Sequence, residues 1–410
     1  MEKKTTVRKY NPMNNLRKFD LNNKKVLVRC DFNVPLDRKG NILDNFRIKK
    51  SLPTIKYLLE KKAKIILISH LGRPNKSKNT KFNFQKYSLR PVALEIEKLL
   101  KQKINFLEDC IGIEVEKEVK KMKSKDIIFL ENLRFYREEE GNNKNFSKKL
   151  AKLGDIYVNN AFACCHREHS SIIGIPKFLL SAPGFLVEKE INVFSSIISE
   201  SKRPLVVIIG GIKISTKIEV IKTLLKDTDN LIIGGEIANS ILQIKGICVR
   251  DFAQDIKPGV KKEIKKINIG NPKLHLPLDA VISLKDIKLG VKNDYLREGA
   301  IGTLKENEKI YDIGNESIKI FSKIIKEART IIWNGPLGLY EEKLFQKGTK
   351  EIAKAIVKNS SSFKVVGGGE TNFALAQLGL RKNFDYVSTG GGAMLELLIG
   401  KKLPGIEALK

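Results

Sequence analysis

A chain of 410 residues exceeds what one hydrophobic core organises, so two domains are expected, each burying a core of its own. Five cysteines, an odd number at irregular spacing, suit a reducing cytoplasm better than a disulfide framework, and no apolar run has membrane-spanning length. The net charge of +30 comes mostly from lysine scattered over every segment; it promises a favourable field for small anions, and without a groove-reading or base-stacking motif it does not argue for nucleic acid as a primary partner.

Residues 1–12, MEKKTTVRKYNP, lack apolar periodicity and are expected to form a disordered extension. Short apolar runs then alternate with helical stretches. KVLVRCDF, AKIILISH, DIIFLEN and DIYVNNAF read as strands of a first lobe, residues 13–185, with SLPTIKYLLEKK and LRPVALEIEKLLKQK as helices. LVEKEINVFSSIISES, residues 186–201, is helical without a strand partner and is placed between two lobes as a hinge. The second lobe, residues 202–388, repeats the alternation: strands in PLVVIIGG, NLIIGGE, TIIWNGP and FKVVGGG, helices in EVIKTLLKD, SIKIFSKIIKEA, GTKEIAKAIVKN and NFALAQLGL. Such alternation means βαβ units, hence an α/β fold with two parallel sheets covered by helices on both faces.

Strand after strand in the second half ends in glycine: IIGG at 208–211 and again at 232–235, WNGP at 333–336, VVGGG at 365–369 and STGGG at 388–392. Glycines at the carboxyl ends of parallel strands let backbone amides approach phosphate oxygens, and helix N-termini following them favour negative charge. Neither GxxxxGK[ST] nor GxGxxG is present. Lys213 and Lys217, four apart in GGIKISTK, could reach nucleotide phosphates, and Glu370 after the triple glycine is a candidate Mg²⁺ ligand. Each also has a plain reading, as solvated lysines and an ordinary first-turn glutamate.

The first half places arginines and histidines near strand ends instead: Arg47, His70, Arg73, Arg134, Arg167 and His169, with Asp31 and Asn33 available to bind hydroxyls. Singly each arginine is a surface ion-pair partner; as a set they suit a small, multiply charged acid. FACCHREHSS, residues 162–171, poses a choice between metal, thiol and anion chemistry. Adjacent Cys164 and Cys165 in an extended chain point opposite ways, which argues against a zinc set. Nearby cations favour thiolate, so oxidation sensitivity is expected there.

In order along the chain, VLVRCDFNVPL, ISHLGRP, SLRPVA, FLENLRFYREEEG, HREHSS, GGIKISTKI, GGEIAN, WNGPLGLYE, VVGGGET and STGGGAMLELLIGKKLPG resemble the phosphoglycerate kinase family, from about Lys25 to Leu409. The resemblance implies two Rossmann-like lobes: an N-terminal one binding 3-phosphoglycerate or 1,3-bisphosphoglycerate, and a C-terminal one binding Mg-ADP or Mg-ATP. It implies that residues 389–410 return to the first lobe, and that the protein is a monomer. By position, Asp31, Phe32, Asn33, Arg47, His70, Leu71, Gly72, Arg73, Arg134 and Arg167 match the acid pocket, with His166 and His169 in support. Gly211, Ile212, Lys213, Lys217, Gly235, Asn334, Glu341, Gly368, Gly369, Glu370 and Thr371 match the nucleotide site, Glu341 at the ribose and Glu370 at the metal. Arg47, Lys213, Lys217, Gly390, Gly391 and Gly392 match the catalytic groups around the transferred phosphoryl. The sequence departs from the family at Glu370 and Asn160, where Asp is usual, and at Ile212, where a small residue is usual. The implied reaction is reversible phosphoryl transfer from 1,3-bisphosphoglycerate to ADP; the alternative is a degenerate relative kept as a binding protein.

Overall fold

The computed structural model describes residues 14–74, 84–248, 256–284 and 295–410; the extension expected at 1–12 lies outside them. Two compact units form. One takes the chain up to Ser199 and again from Gly392 to Lys410; the other is Glu200–Gly391.

The first unit is built on β1 (Lys25–Cys30), β2 (Lys64–Ile68), β3 (Asn105–Leu107), β4 (Ile127–Leu130), β5 (Ile156–Asn160) and β6 (Leu180–Pro183). They run in the order β3-β4-β2-β1-β5-β6, every pair parallel. Side chains alternate across a strand, and here both faces are dry. Val26, Val28, Ile65, Leu67 and Phe129 join one core, while Leu27, Ile66, Ile68, Ile128 and Leu130 join a second on the other face. That double burial is why the strands read as unbroken apolar runs.

The helix Phe46–Glu60 starts ahead of the expected SLPTIKYLLEKK segment and carries Pro53 inside it. Burial of Ile48, Ser51, Thr54, Ile55 and Leu58 along one stripe holds it in place despite the missing N–H, and the longer helix puts Arg47 in its first turn. The helix Phe185–Glu200 follows β6. Its first amides are capped from elsewhere: Phe185 N–H donates to Thr54 Oγ1 at 3.0 Å and Leu186 N–H to Asn160 Oδ1 at 3.2 Å. Asn160 also accepts from Thr54 Oγ1 at 2.9 Å, so this departure from the family pattern serves as a buried joint acceptor. At the other end of the unit, Leu403, Ile406 and Leu409 are fully buried, and Gly405 N–H donates to Cys165 O at 2.8 Å.

The second unit contains β7 (Leu205–Ile209), β8 (Asn230–Ile233), β9 (Leu274–His275), β10 (Asp279–Leu284), β11 (Leu296–Ala300), β12 (Glu308–Ile313), β13 (Thr330–Asn334), β14 (Phe363–Gly367) and β15 (Tyr386–Val387). Six of them form a parallel sheet in the order β15-β14-β13-β7-β8-β9. The expected architecture is incomplete on one point: β11-β10-β12 form a separate antiparallel sheet. Charge hides these strands in the sequence. Glu308, on β12, is fully buried, and accepts from Arg297 Nε at 2.8 Å and Tyr295 OH at 2.6 Å. Among the described residues no helix is long and apolar enough to cross a membrane.

Candidate active site

In the first unit the loops leaving β1, β2, β4 and β5 carry the predicted anion ligands, because the carboxyl ends of parallel strands face one edge. Asp31 and Asn33 follow β1; Asp31 takes Arg47 Nη1 at 2.9 Å, and the same nitrogen donates to Asn33 O at 3.0 Å. Asn33 Oδ1 in turn accepts from Gly72 N–H at 2.8 Å, and Gly72 O from Arg134 Nη1 at 2.6 Å. Arg47, His70, Arg134 and Arg167 thus surround one region, and their mutual influence registers it. Burial, then the charges of Arg29, Arg134, Arg167 and Arg47, hold the His70 pKa well below the usual imidazole range. Burial and Arg167 draw Arg134 down to about 10. Asp31, Glu139 and Glu140 each face one of these guanidinium groups, and cations crowded this closely still favour a further anion.

Phe32 and Leu71 do not take part through their side chains. Phe32 is fully buried with its ring 5.6 Å from that of Phe129, its N–H held by Ser69 Oγ at 2.9 Å; Leu71 is buried and its carbonyl accepts from Asn132 Nδ2. Arg73 is exposed.

Sequence reasoning passed over Arg29, because it sits inside β1 rather than at its end. Its guanidinium is 1% exposed, donates to Ser171 Oγ at 2.8 Å and lies 3.8 Å from the buried Glu139 carboxylate. Arg29 Nη2 is 3.2 Å from His70 Nδ1. Guanidinium only donates, so Nδ1 accepts and the ring proton resides on Nε2. A charged residue within an otherwise apolar, doubly covered strand was the signal available in VLVRCDF.

FACCHREHSS resolves differently from its expectation. Phe162–Cys164 is a short helical turn, not extended chain. Cys164 faces Arg29 Nη2 at 3.9 Å, whereas Cys165 faces Asn159 Nδ2 at 3.6 Å. Burial raises both thiol pKa values despite the neighbouring cations, so the expected thiolate is disfavoured. Asp31, His70 and Cys164 bring candidate ligand atoms within 4.8 Å of one another, but Arg29 lies against His70 and Cys164, and Arg47 against Asp31. Two guanidinium ions already serve as the counter-charge. His166 and His169 are drawn down to about 4 and about 3 by burial and by Arg167, so both rings are neutral.

The second unit has a cleft of about 260 Å³ at the carboxyl ends of its strands, lined by Gly211, Ile212, Gly235, Glu341 and Glu370 among others. Its glycine-ended strands lock together backbone to backbone: Gly211 N–H donates to Pro336 O at 2.8 Å and Gly235 N–H to Leu337 O at 3.0 Å. A Cβ at Gly210 would lie 2.0 Å from Pro336 O. Several glycines read as phosphate cradles therefore serve first to let these loops touch.

Asn334 Nδ2 donates to Gly367 O at 2.9 Å and Thr371 Oγ1 accepts from Gly335 N–H at 2.8 Å, bracing the loop that holds Gly368, where φ is +99°. Gly390 N–H donates to Ser388 Oγ at 3.1 Å, which engages one of the three amides expected for the phosphoryl group. The chain passes from the second unit to the first between Gly391 and Gly392. Lys213 is exposed, whereas Lys217 Nζ donates to Gly210 O at 2.7 Å and its pKa is drawn down to about 8 by burial, with Glu370 pulling the other way. Ile212, 66% exposed, projects into the cleft in place of a smaller residue. Burial raises the Glu341 pKa, and Glu370 adds to it.

Glu370 is an exposed carboxylate in the first turn of the helix Gly369–Gln377. Magnesium is commonly held by one or two carboxylates together with substrate phosphates rather than by a full protein cage. A single exposed carboxylate beside Lys217 fits that arrangement.

A family model described as phosphoglycerate kinase matches residues 16–401. The chain belongs to the phosphoglycerate kinase family. It is 44% identical over 395 residues to the phosphoglycerate kinase of Aquifex aeolicus, covering 95% of this chain and 96% of that one. It is also 44% identical to that of Borrelia garinii subsp. bavariensis, over 94% and 96% of the two chains. The crystal structure of phosphoglycerate kinase from Pyrococcus horikoshii superposes with a TM-score of 0.81 at 30% identity, covering 96% of this chain and 98% of that one. The structure of phosphoglycerate kinase from Coxiella burnetii gives 0.73 at 34% identity, covering 97% of this chain and 99% of that one. As a member of the phosphoglycerate kinase family the chain is a kinase and transferase with two parallel-sheet α/β domains.

Proposed function

We propose that this chain transfers a phosphoryl group reversibly from 1,3-bisphosphoglycerate to ADP, with 3-phosphoglycerate held by the first unit and Mg-ADP or Mg-ATP by the second. The observation that carries it is the ring of Arg47, Arg134 and Arg167 around a neutral, buried His70. Both nucleophiles, a carboxylate and a phosphate, are deprotonated at neutral pH, so no general base is needed. Catalysis is positioning plus charge neutralisation. Arg47 would meet the migrating group from the acid side, Lys213, Lys217 and the Gly390–Gly392 segment from the nucleotide side. His70, with its proton on Nε2, would act as a neutral donor to the acid.

Glu370 would hold Mg²⁺, which when bound neutralises phosphate charge. Since the ligands are carried by separate units, the units must close on one another for transfer, with a hinge in residues 186–201 and another past 388. We further propose a monomer working in the cytoplasm. A coupled assay on the purified protein tests the reading: turnover requiring Mg²⁺, 3-phosphoglycerate and ATP is expected, and salt-sensitive DNA binding without turnover would replace it with the binding-protein alternative.

Two outcomes follow from single residues. Glu370→Gln should raise the Mg²⁺ concentration giving half-maximal rate by about tenfold, the low end of what lost support of a bound metal costs; an unchanged Mg²⁺ dependence would remove Glu370 from the metal. Lys217, titrating at about 8 in the free protein, must regain its proton to meet phosphate. ADP binding should therefore take up protons above pH 8 and weaken as pH rises. Calorimetry at pH 9 in buffers of different ionisation heat measures that uptake, and identical heats would contradict it.

A further inference from the structure

One polar atom of the second unit is left over from the hydrogen bonding described so far. Asn372 is 5% exposed, and its Oδ1 accepts no hydrogen bond among the described residues. An acceptor buried in that state is costly and calls for a physical reason. The other half of the amide is engaged, with Nδ2 donating to Ser388 O at 2.8 Å. Oδ1, on the same group, therefore lies beside Ser388 as well. Ser388 is fully buried and its backbone is pinned from both sides, because its N–H donates to Val366 O at 2.8 Å. Only its hydroxyl is free to turn. That hydroxyl donates to Gly390 O at 3.1 Å and accepts from Gly390 N–H at 3.1 Å, so it covers an amide read as meeting the transferred phosphoryl. The loop itself is wedged, since a Cβ on Gly391 would lie 3.0 Å from Gly368 Cα. Turning one side chain uncovers the amide more easily than moving that loop.

We propose that the Ser388 hydroxyl is a two-position switch: set on Gly390 it covers the amide, and turned onto Asn372 Oδ1 it releases Gly390 N–H to the transferring phosphoryl group. Asn372 is then a positioning residue for the transfer step, acting through Ser388 without touching substrate. The inference rests on the phosphoryl-transfer reading. Its hydrogen bonds balance. The hydroxyl gives up Gly390 O and gains Asn372 Oδ1, so one acceptor is unmatched in either state, and the turn runs between staggered rotamers. What tips the exchange is the bond from Gly390 N–H to a charged phosphoryl oxygen, stronger than its bond to a neutral hydroxyl. Asn372 follows Glu370 by two residues on the helix Gly369–Gln377, so one rigid element carries both the proposed metal ligand and the acceptor that draws the hydroxyl away.

Single-turnover transfer rates of Asn372→Ala, Ser388→Ala and the double variant test the switch. Asn372→Ala should slow transfer by about tenfold or more and leave ADP affinity within about twofold. In Ser388→Ala no hydroxyl remains to cover the amide, so the same change at Asn372 should cost about tenfold less there. The lost Nδ2 bond to Ser388 O weighs on both backgrounds and cancels. An equal cost in the two backgrounds, or no cost in either, overturns the proposal. Glycine-selective amide NMR on the wild type reads the same event without substitution. With ADP, Mg²⁺, 3-phosphoglycerate and aluminium fluoride, a stand-in for the transferring group, the Gly390 proton should move downfield. A Gly390 resonance that stays put while other glycines of the cleft shift overturns the switch alone. No shift at any glycine, together with no turnover, overturns the phosphoryl-transfer reading with it.

Discussion

Replacing Arg47 by Met is expected to lower kcat about a thousandfold, with a far smaller effect on thermal stability. The guanidinium is partly exposed, and its buried partner Asp31 keeps the bond from Asn33 N–H, so the stability loss is smaller than where both members of a pair are buried. Its removal takes one fixed positive charge from the space the phosphoryl group crosses, and donors of that kind are worth about 10²–10³ in rate, more for an arginine aimed at transferring phosphate. Arg47→Lys should recover only part of the loss, since an ammonium ion keeps the charge and not the planar fork. Steady-state rates with both substrates saturating, alongside a thermal melt, decide it. A variant whose kcat stays within tenfold of the wild type would take Arg47 out of the transfer step.

The largest effect on stability is expected at Arg29. Arg29→Met leaves the Glu139 carboxylate fully buried beside Ser171 with its cation gone, and breaking such a pair from one side costs about 3–5 kcal/mol. For a unit of this size that is a fall of about 10 °C in the corresponding transition. Arg29→Met combined with Glu139→Gln should restore a good part of it, because the uncompensated charge is then removed. Scanning calorimetry of the two variants compares them; a single substitution costing under about 1 kcal/mol would mean that Glu139 reaches water or another cation. Weaker binding of 3-phosphoglycerate should accompany the loss, because His70 Nδ1 forfeits the donor that sets its tautomer.

Much of the fold could be read from the chain because doubly covered parallel strands such as KVLVRC and LVVII carry an undiluted apolar signal. The antiparallel strands LREGA and EKIYDI could not: β11 is half exposed, and the charges of Arg297 and Glu308 cancel only once the strands are paired. The same logic divides the candidate site. Arginines at strand ends were legible because nothing in the fold calls for them there. Arg29 escaped because it lies within a strand, and its role appears only when Glu139 and Ser171, more than a hundred residues away, close around it. Phe32 and Leu71, by contrast, were swept in by their neighbours in the motif and prove to be core. Glycine misled in part, since the sequence cannot distinguish a glycine that admits a phosphate from one that admits the next loop.

The first unit is interrupted in sequence, and that has a bearing on how the chain matures. Its core includes Leu409, and its FACC turn receives Gly405, yet the whole of Glu200–Gly391 is synthesised in between. The inserted unit, one continuous stretch of chain, can fold as it leaves the ribosome. The first can be completed only when the residues past Gly392 arrive. During that interval the surface later covered by Leu403, Ile406 and Leu409 is what a chaperone would meet.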